Sequence, residues 1–192
     1  MKKFFSMALL ALTTLTMSAQ EDSKFTLKAG LGLSSIVGDD ADGAKSKFAY
    51  KVGATYDFNI GENFAIVPGV ELVAKGFEYE GISGSIDIYY LQVPVLAAYK
   101  FNVSDNMKLS VKAGPYVSYG LFGSDIDIYG FGSVNIFDDE MYDRFDAGVA
   151  AGLTLNMGKF SVGVEYSRGL MKLADDSKTY NQAYGLVLGY KF

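Results

Sequence analysis

The chain has 192 residues, which fits one domain, and contains no cysteine, histidine or tryptophan. That composition excludes disulfides, a thiol nucleophile, a lipid-modified cysteine and any catalysis that depends on a histidine base. Acidic residues outnumber basic ones 22 to 17, which argues against a nucleic-acid partner, since that would call for a basic patch.

Residues 1–19 have the build of a secretory signal peptide: Lys2 and Lys3, an apolar stretch from Phe4 to Met17, and a small-residue cleavage site at Met17-Ser18-Ala19 before Gln20. The apolar stretch of about 14 residues is too short to span a bilayer as a helix, which takes about 20. Removing this segment takes away two lysines, so 15 basic residues face 22 acidic ones and the formal charge moves from −5 to −7. Residues 20–192 remain as one domain.

Eight stretches then carry bulky apolar residues at every second position, the period of a strand, whose side chains point alternately to its two faces. They run over about 25–34, 48–58, 64–75, 87–101, 107–121, 144–156, 159–168 and 180–192. Tight turns rich in Asn, Asp and Gly follow the second, fourth and sixth at 59–63, 102–106 and 156–158. Longer loops follow the odd-numbered strands, the longest near 122–143. Short turns at one end and long loops at the other fit a transmembrane barrel with its short turns in the periplasm. Both termini then lie in the periplasm as well.

The apolar faces include Phe25 to Leu33, Tyr50 to Phe58, Phe64 to Ala74, Tyr89 to Phe101 and Tyr184 to Phe192, each taken by twos. Across all eight strands they hold about 45 positions without a charge, where the chain's 20% charged content would place about nine at random. The opposite face carries Lys28, Lys51, Glu71, Lys75, Lys112, Asp146 and Glu165 among small residues.

Alternation alone leaves open which face is inside, since a lipocalin-type barrel would turn the apolar face inward. Aromatic residues near the strand ends, small residues on the polar face and a final strand that ends at Phe192 favour the membrane arrangement. The expected fold is all-β: an eight-stranded antiparallel up-and-down transmembrane barrel, of the size of OmpA/OmpX-type barrels, whose interior side chains can just fill. In so narrow a lumen Lys28, Lys51, Glu71, Lys112 and Glu165 are expected to form a paired polar network. Pro68, Pro94 and Pro115 fall inside strands, where bulges or kinks are expected.

Several segments resemble the PorT-like outer-membrane β-barrel family. The most specific is Tyr90-Leu91-Gln92-Val93-Pro94-Val95-Leu96 followed by Tyr99. Lys75-Gly76, Ala113-Gly114-Pro115, Glu165-Tyr166 and Gly169-Leu170 match in order and spacing. The terminal Tyr190-Lys191-Phe192 is similar to the aromatic ending by which such barrels are recognised for assembly. The resemblance implies an integral outer-membrane protein that meets lipid, lipopolysaccharide and the barrel assembly machinery. It supplies no catalytic residues and no cofactor. For the founding member it implies a link to protein secretion.

The expected function is therefore a non-enzymatic structural or binding module with a plugged lumen, with an accessory role in a secretion system or a small passive pore as alternatives. Small outer-membrane hydrolases and acyltransferases of similar architecture use a His with Ser, Asp or Glu, and this chain has no His. The acidic loop residues, Asp39, Asp40 and Asp42 in the first long loop and six more in the third, read as solvated surface charge, with weak calcium bridging to lipopolysaccharide or a partner as the alternative. EF-hand spacing fails in the third loop, because Tyr129 and Ile136 occupy ligand positions. That loop mixes apolar residues with acids, and Tyr129, Phe131, Phe137 and Tyr142 are its candidates for contact with an extracellular or secretion-system protein. Alternation at 125–128 and 133–136 suggests a hairpin beyond the membrane.

Overall fold

A strand whose two faces differ in polarity must place one face in each of two environments, and a closed barrel does so without leaving a free edge. The computed structural model describes residues 24–79, 85–123, 125–128, 132–135, 143–173 and 178–192. Eight of its strands form the barrel: β1 (Phe25–Gly38), β2 (Ala44–Tyr56), β3 (Phe64–Tyr79), β4 (Ser85–Ser104), β5 (Met107–Gly123), β6 (Phe145–Met157), β7 (Phe160–Gly169) and β8 (Thr179–Lys191). Each pairs antiparallel with its neighbours in sequence, and β8 pairs with β1 to close the cylinder. This seam is continuous from Thr26↔Lys191 to Gly38↔Thr179, with Phe192 N–H donating to the Phe25 carbonyl at 3.1 Å.

The expected eight strands and three tight turns are present. At the turns, Gly61 (φ 106°) and Gly158 (φ 58°) take left-handed backbone that a side chain would resist. Several strands run further toward the long loops than the hydrophobic pattern indicates, to Gly38, Tyr79 and Gly123, while β4 begins at Ser85. Their outer ends leave the apolar band, so alternation of polarity fades while backbone pairing continues.

The apolar face is on the outside. Leu31, Leu186 and Leu188 are 61%, 62% and 64% exposed, whereas Glu71 and Lys75 are 2% and 3% exposed. This inversion belongs in lipid, not water. Two aromatic girdles bound the band. Near the tight turns, Tyr56–Phe58, Tyr99–Phe101, Phe160–Tyr190 and Phe25–Phe192 pack with ring centroids 4.6, 4.7, 5.3 and 5.8 Å apart. Toward the long loops, Tyr89 packs on Phe122 at 4.7 Å and on Tyr50 at 6.3 Å. From Tyr89 to Tyr99 the strand rises about 33 Å, which a tilt of about 40° reduces to about 25 Å, the height of an outer-membrane apolar band.

The prolines do not produce the expected bulges. Register is unchanged across Pro68↔Val95, Pro94↔Tyr116 and Pro115↔Val149. Instead the ladder opens locally, between Pro68↔Val95 and Glu71↔Gln92 and between Pro94↔Tyr116 and Ala97↔Ala113. Losing one donor thus interrupts pairing without inserting a residue. The register shifts lie elsewhere, between Ser46 and Tyr50, Tyr89 and Tyr90, and Asn102 and Ser104. Ala74 keeps the outward facing of its cross-strand partners Tyr50 and Tyr89, and its 5% exposure reflects the cover of those two rings.

In the third long loop, Asp125–Ile128 pairs antiparallel with Gly132–Asn135 as a separate hairpin, in keeping with the alternation there. Segment 1–19 and the contact candidates Tyr129, Phe131, Phe137 and Tyr142 lie outside the described residues.

Candidate functional site

Because each strand turns every second residue inward, charges on β1, β2, β3 and β7 converge in the lumen. Lys28 Nζ lies 2.6 Å from Glu71 Oε1 and 2.9 Å from Glu165 Oε1. Lys51 Nζ lies 3.6 Å from Glu71 Oε2 and pairs closely with Glu165 Oε2. Each lysine therefore bridges both glutamates, and the four charges close into a neutral ring.

Glycines make the room for this ring. Glu71 sits opposite Gly53 on β2, and Glu165 sits opposite Gly152 on β6 and Gly185 on β8. A Cβ on Gly53 would come within 2.9 Å of the Glu71 Cγ, one on Gly152 within 3.0 Å of the Glu165 Cγ, and one on Gly30 within 3.1 Å of the Lys51 Cγ. The abundance of glycine thus has a local cause, since each long charged side chain lies across a neighbour without one.

The fifth expected member does not join. Lys112 on β5 faces the lumen but forms no ion pair or hydrogen bond among the described residues. Its row runs through Gly152 to Glu165, whose two oxygens Lys28 and Lys51 already hold.

A second cluster, which the sequence placed on the charged face but did not resolve as a unit, lies toward the long loops. Lys75 sits 4.8 Å from the Tyr116 ring centroid and 5.2 Å from that of Tyr90, donates to Gln92 Oε1 at 3.2 Å, and lies 3.9 Å from Asp146 Oδ2. That carboxylate accepts from the Tyr116 hydroxyl at 3.1 Å and from Asn181 Nδ2 at 3.2 Å. The cation is thus desolvated against two aromatic faces and one carboxylate. The available signal was two large tyrosines at inward positions, where small residues otherwise prevail.

Apolar residues lie above this cluster. Ile36, Phe77, Ile88 and Tyr90 pack with Leu173, which the last long loop folds into the barrel mouth. Leu173 is held by its N–H on the Thr179 carbonyl at 3.0 Å and by the Asp143 N–H on its own carbonyl at 2.9 Å. At the rim, Lys178 bonds Asp39 Oδ2 at 3.2 Å and its backbone N–H bonds Asp40 Oδ2 at 2.8 Å. The Asp39 carboxylate beside it raises the Lys178 ammonium above the ordinary lysine value. Two of the first loop's acids therefore tie the first and last loops together. Toward the tight turns, Ala65, Val67, Leu96 and Ala98 line the lumen, and Lys100 pairs with Asp57 at 2.6 Å. Among the described residues no three His, Cys, Asp or Glu side chains are grouped to hold a metal ion.

The pattern of the family described as "outer membrane protein beta-barrel domain" matches residues 18–175. No curated protein matches the sequence. Among solved structures, the chain is similar to the outer membrane enzyme PagL, at 15% identity over 87% of this chain and 99% of that one, with a TM-score of 0.58. It is also similar to Neisserial surface protein A, at 13% identity over 88% of this chain and 98% of that one, with a TM-score of 0.57. At such identities the likeness is one of fold: a closed eight-stranded antiparallel outer-membrane barrel.

Proposed function

Because the chain belongs to the outer membrane protein β-barrel domain family, we propose that it is a non-enzymatic scaffold of the outer membrane whose lumen is plugged and whose long loops make its contacts. The observation that carries this reading is the lumen itself. Successive layers of side chains project into it along its length, from the Asp57–Lys100 pair through the four-charge ring and the Lys75–Asp146 cluster to the apolar residues around Leu173. Such filling disfavours a passive pore and directs function to the surface.

PagL shares the fold and is an enzyme. The absence of histidine from this chain supports a non-catalytic reading here. The start of β1 and the end of β8 belong to the tight-turn end, which we assign to the periplasm, leaving the paired segments 125–128 and 132–135 outside the cell. Within the family, the PorT-like pattern around Gln92 and Pro94 favours membership of that group and an accessory role in protein secretion as the second reading. Gln92 is one of the ligands of Lys75, so that motif contributes to the plug.

Photo-crosslinkers placed at Tyr129 and Phe137 in intact cells test the contact surface. A discrete protein adduct from the loop, absent with the crosslinker at an outward lipid-facing residue such as Leu186, supports the scaffold reading. Adducts to lipopolysaccharide alone from every position would contradict it.

A further inference from the structure

Lys112 is a cation with no ion-pair partner among the described residues. The four-charge ring, the Lys75–Asp146 cluster and the Lys100–Asp57 pair are each neutral, so Lys112 is the excess charge of the mid-barrel lumen. It borders a cavity of about 20 Å³, enough for a single water-sized species. Around that cavity stand Thr26, Thr55, Thr154 and Ser161, together with Lys28. None of the four hydroxyls bonds another described residue, so all four are free to donate inward. Glu165 also borders the space, but both of its oxygens are held by Lys28 and Lys51. The nearby carboxylate of Asp57 is held by Lys100.

We propose that this cavity is a binding site for one halide-sized anion, chloride under ordinary conditions, held between the Lys112 ammonium and the ring of hydroxyls. An uncompensated cation in a closed interior is costly, and an anion is the species that removes that cost. Hydroxyl and ammonium donors suit a spherical anion, since it accepts from several directions at once. The small space, about 20 Å³, favours a monatomic anion over a polyatomic one. The resident ion completes the neutrality of the lumen, so its role is to stabilise the plug.

The test uses the full barrel folded in detergent. Its melting temperature is followed as chloride replaces gluconate at fixed ionic strength, and crystals soaked in bromide are examined for anomalous signal. The expected result is a rise of about 3 °C or more in chloride and a bromide peak within about 3.5 Å of Lys112 Nζ. Lys112→Met should lose the chloride dependence and melt no lower than the wild type in gluconate, because it removes the unpaired charge. Thr154→Val with Ser161→Ala should weaken the chloride dependence while keeping the lysine. Equal melting in both salts together with no bromide peak at Lys112 would overturn the proposal, as would bromide peaks confined to other places. Should Lys112→Met fail to fold, the two wild-type measurements decide.

Discussion

Lys28 on β1 reaches Glu71 on β3 at 2.6 Å, passing across β2, the strand that lies between them. The same ammonium reaches Glu165 on β7 across β8. One lysine thus ties three strands that share no backbone hydrogen bonds. Removing Glu71 leaves Lys28 and Lys51 to share one remaining carboxylate. Glu71→Gln should therefore lower the stability of the folded barrel by about 3 kcal/mol, the scale of a broken buried pair. The temperature at which the folded band is lost on an unboiled gel measures this. Lys51→Met added to Glu71→Gln should recover part of the loss, as a double-mutant cycle would reveal.

The glycines opposite the ring are as necessary as the charges. A Cβ at Gly53 would lie 2.5 Å from the Val70 carbonyl oxygen and 2.8 Å from the Glu71 Cα, both backbone atoms that cannot step aside. Gly53→Val should abolish the folded species on refolding into detergent. Gly158→Asn, at a turn where nothing crowds the position and the φ of 58° suits asparagine, should refold like the wild type.

At the seam, Tyr190 pairs with Leu27 while its ring packs on those of Phe160 and Phe192, at 5.3 and 5.2 Å. Deleting 190–192 removes the seam pairs Thr26↔Lys191 and Leu27↔Tyr190 together with two rings of the turn-side girdle. The truncated chain should still reach the periplasm but fail to accumulate in the outer membrane. Fractionation with protease digestion distinguishes the two locations.

The third long loop should be separable from the barrel. Among the described residues its hairpin forms its own two-stranded sheet and exchanges no ladder with the eight barrel strands. Excising 124–138 should leave the melting temperature of the barrel within a few degrees of the intact protein. Adducts formed by crosslinkers at Phe145, outside the excised segment on the same rim, should disappear if the loop makes the contact.

The period-two pattern made the strands legible, because lipid on one side and a polar lumen on the other impose opposite demands on alternate residues. It also identified Lys28, Lys51, Glu71 and Glu165 as inward charges. The pattern could not say that Lys75 meets Asp146, because those residues stand on β3 and β6 across the lumen, and their relative height depends on how the strands are staggered around the cylinder. Nor could it say that Lys112, in one row with Glu165 across Gly152, finds both oxygens of that carboxylate taken by Lys28 and Lys51. The prolines misled in another way. A missing donor can be absorbed by a short gap in the ladder, and Gly69, next to Pro68, permits that gap by letting the Pro94 ring lie close, where a Cβ would be 3.3 Å from its Cγ. Local rules for strands see the lost hydrogen bond and not the neighbour that accommodates it.

The proposal that the lumen is plugged is most directly tested by reconstituting the purified, folded barrel into a planar bilayer and recording current under an applied voltage. A plugged interior predicts no steady unitary conductance above that of the bare membrane. Reproducible, stable channel openings from the wild-type protein would contradict it.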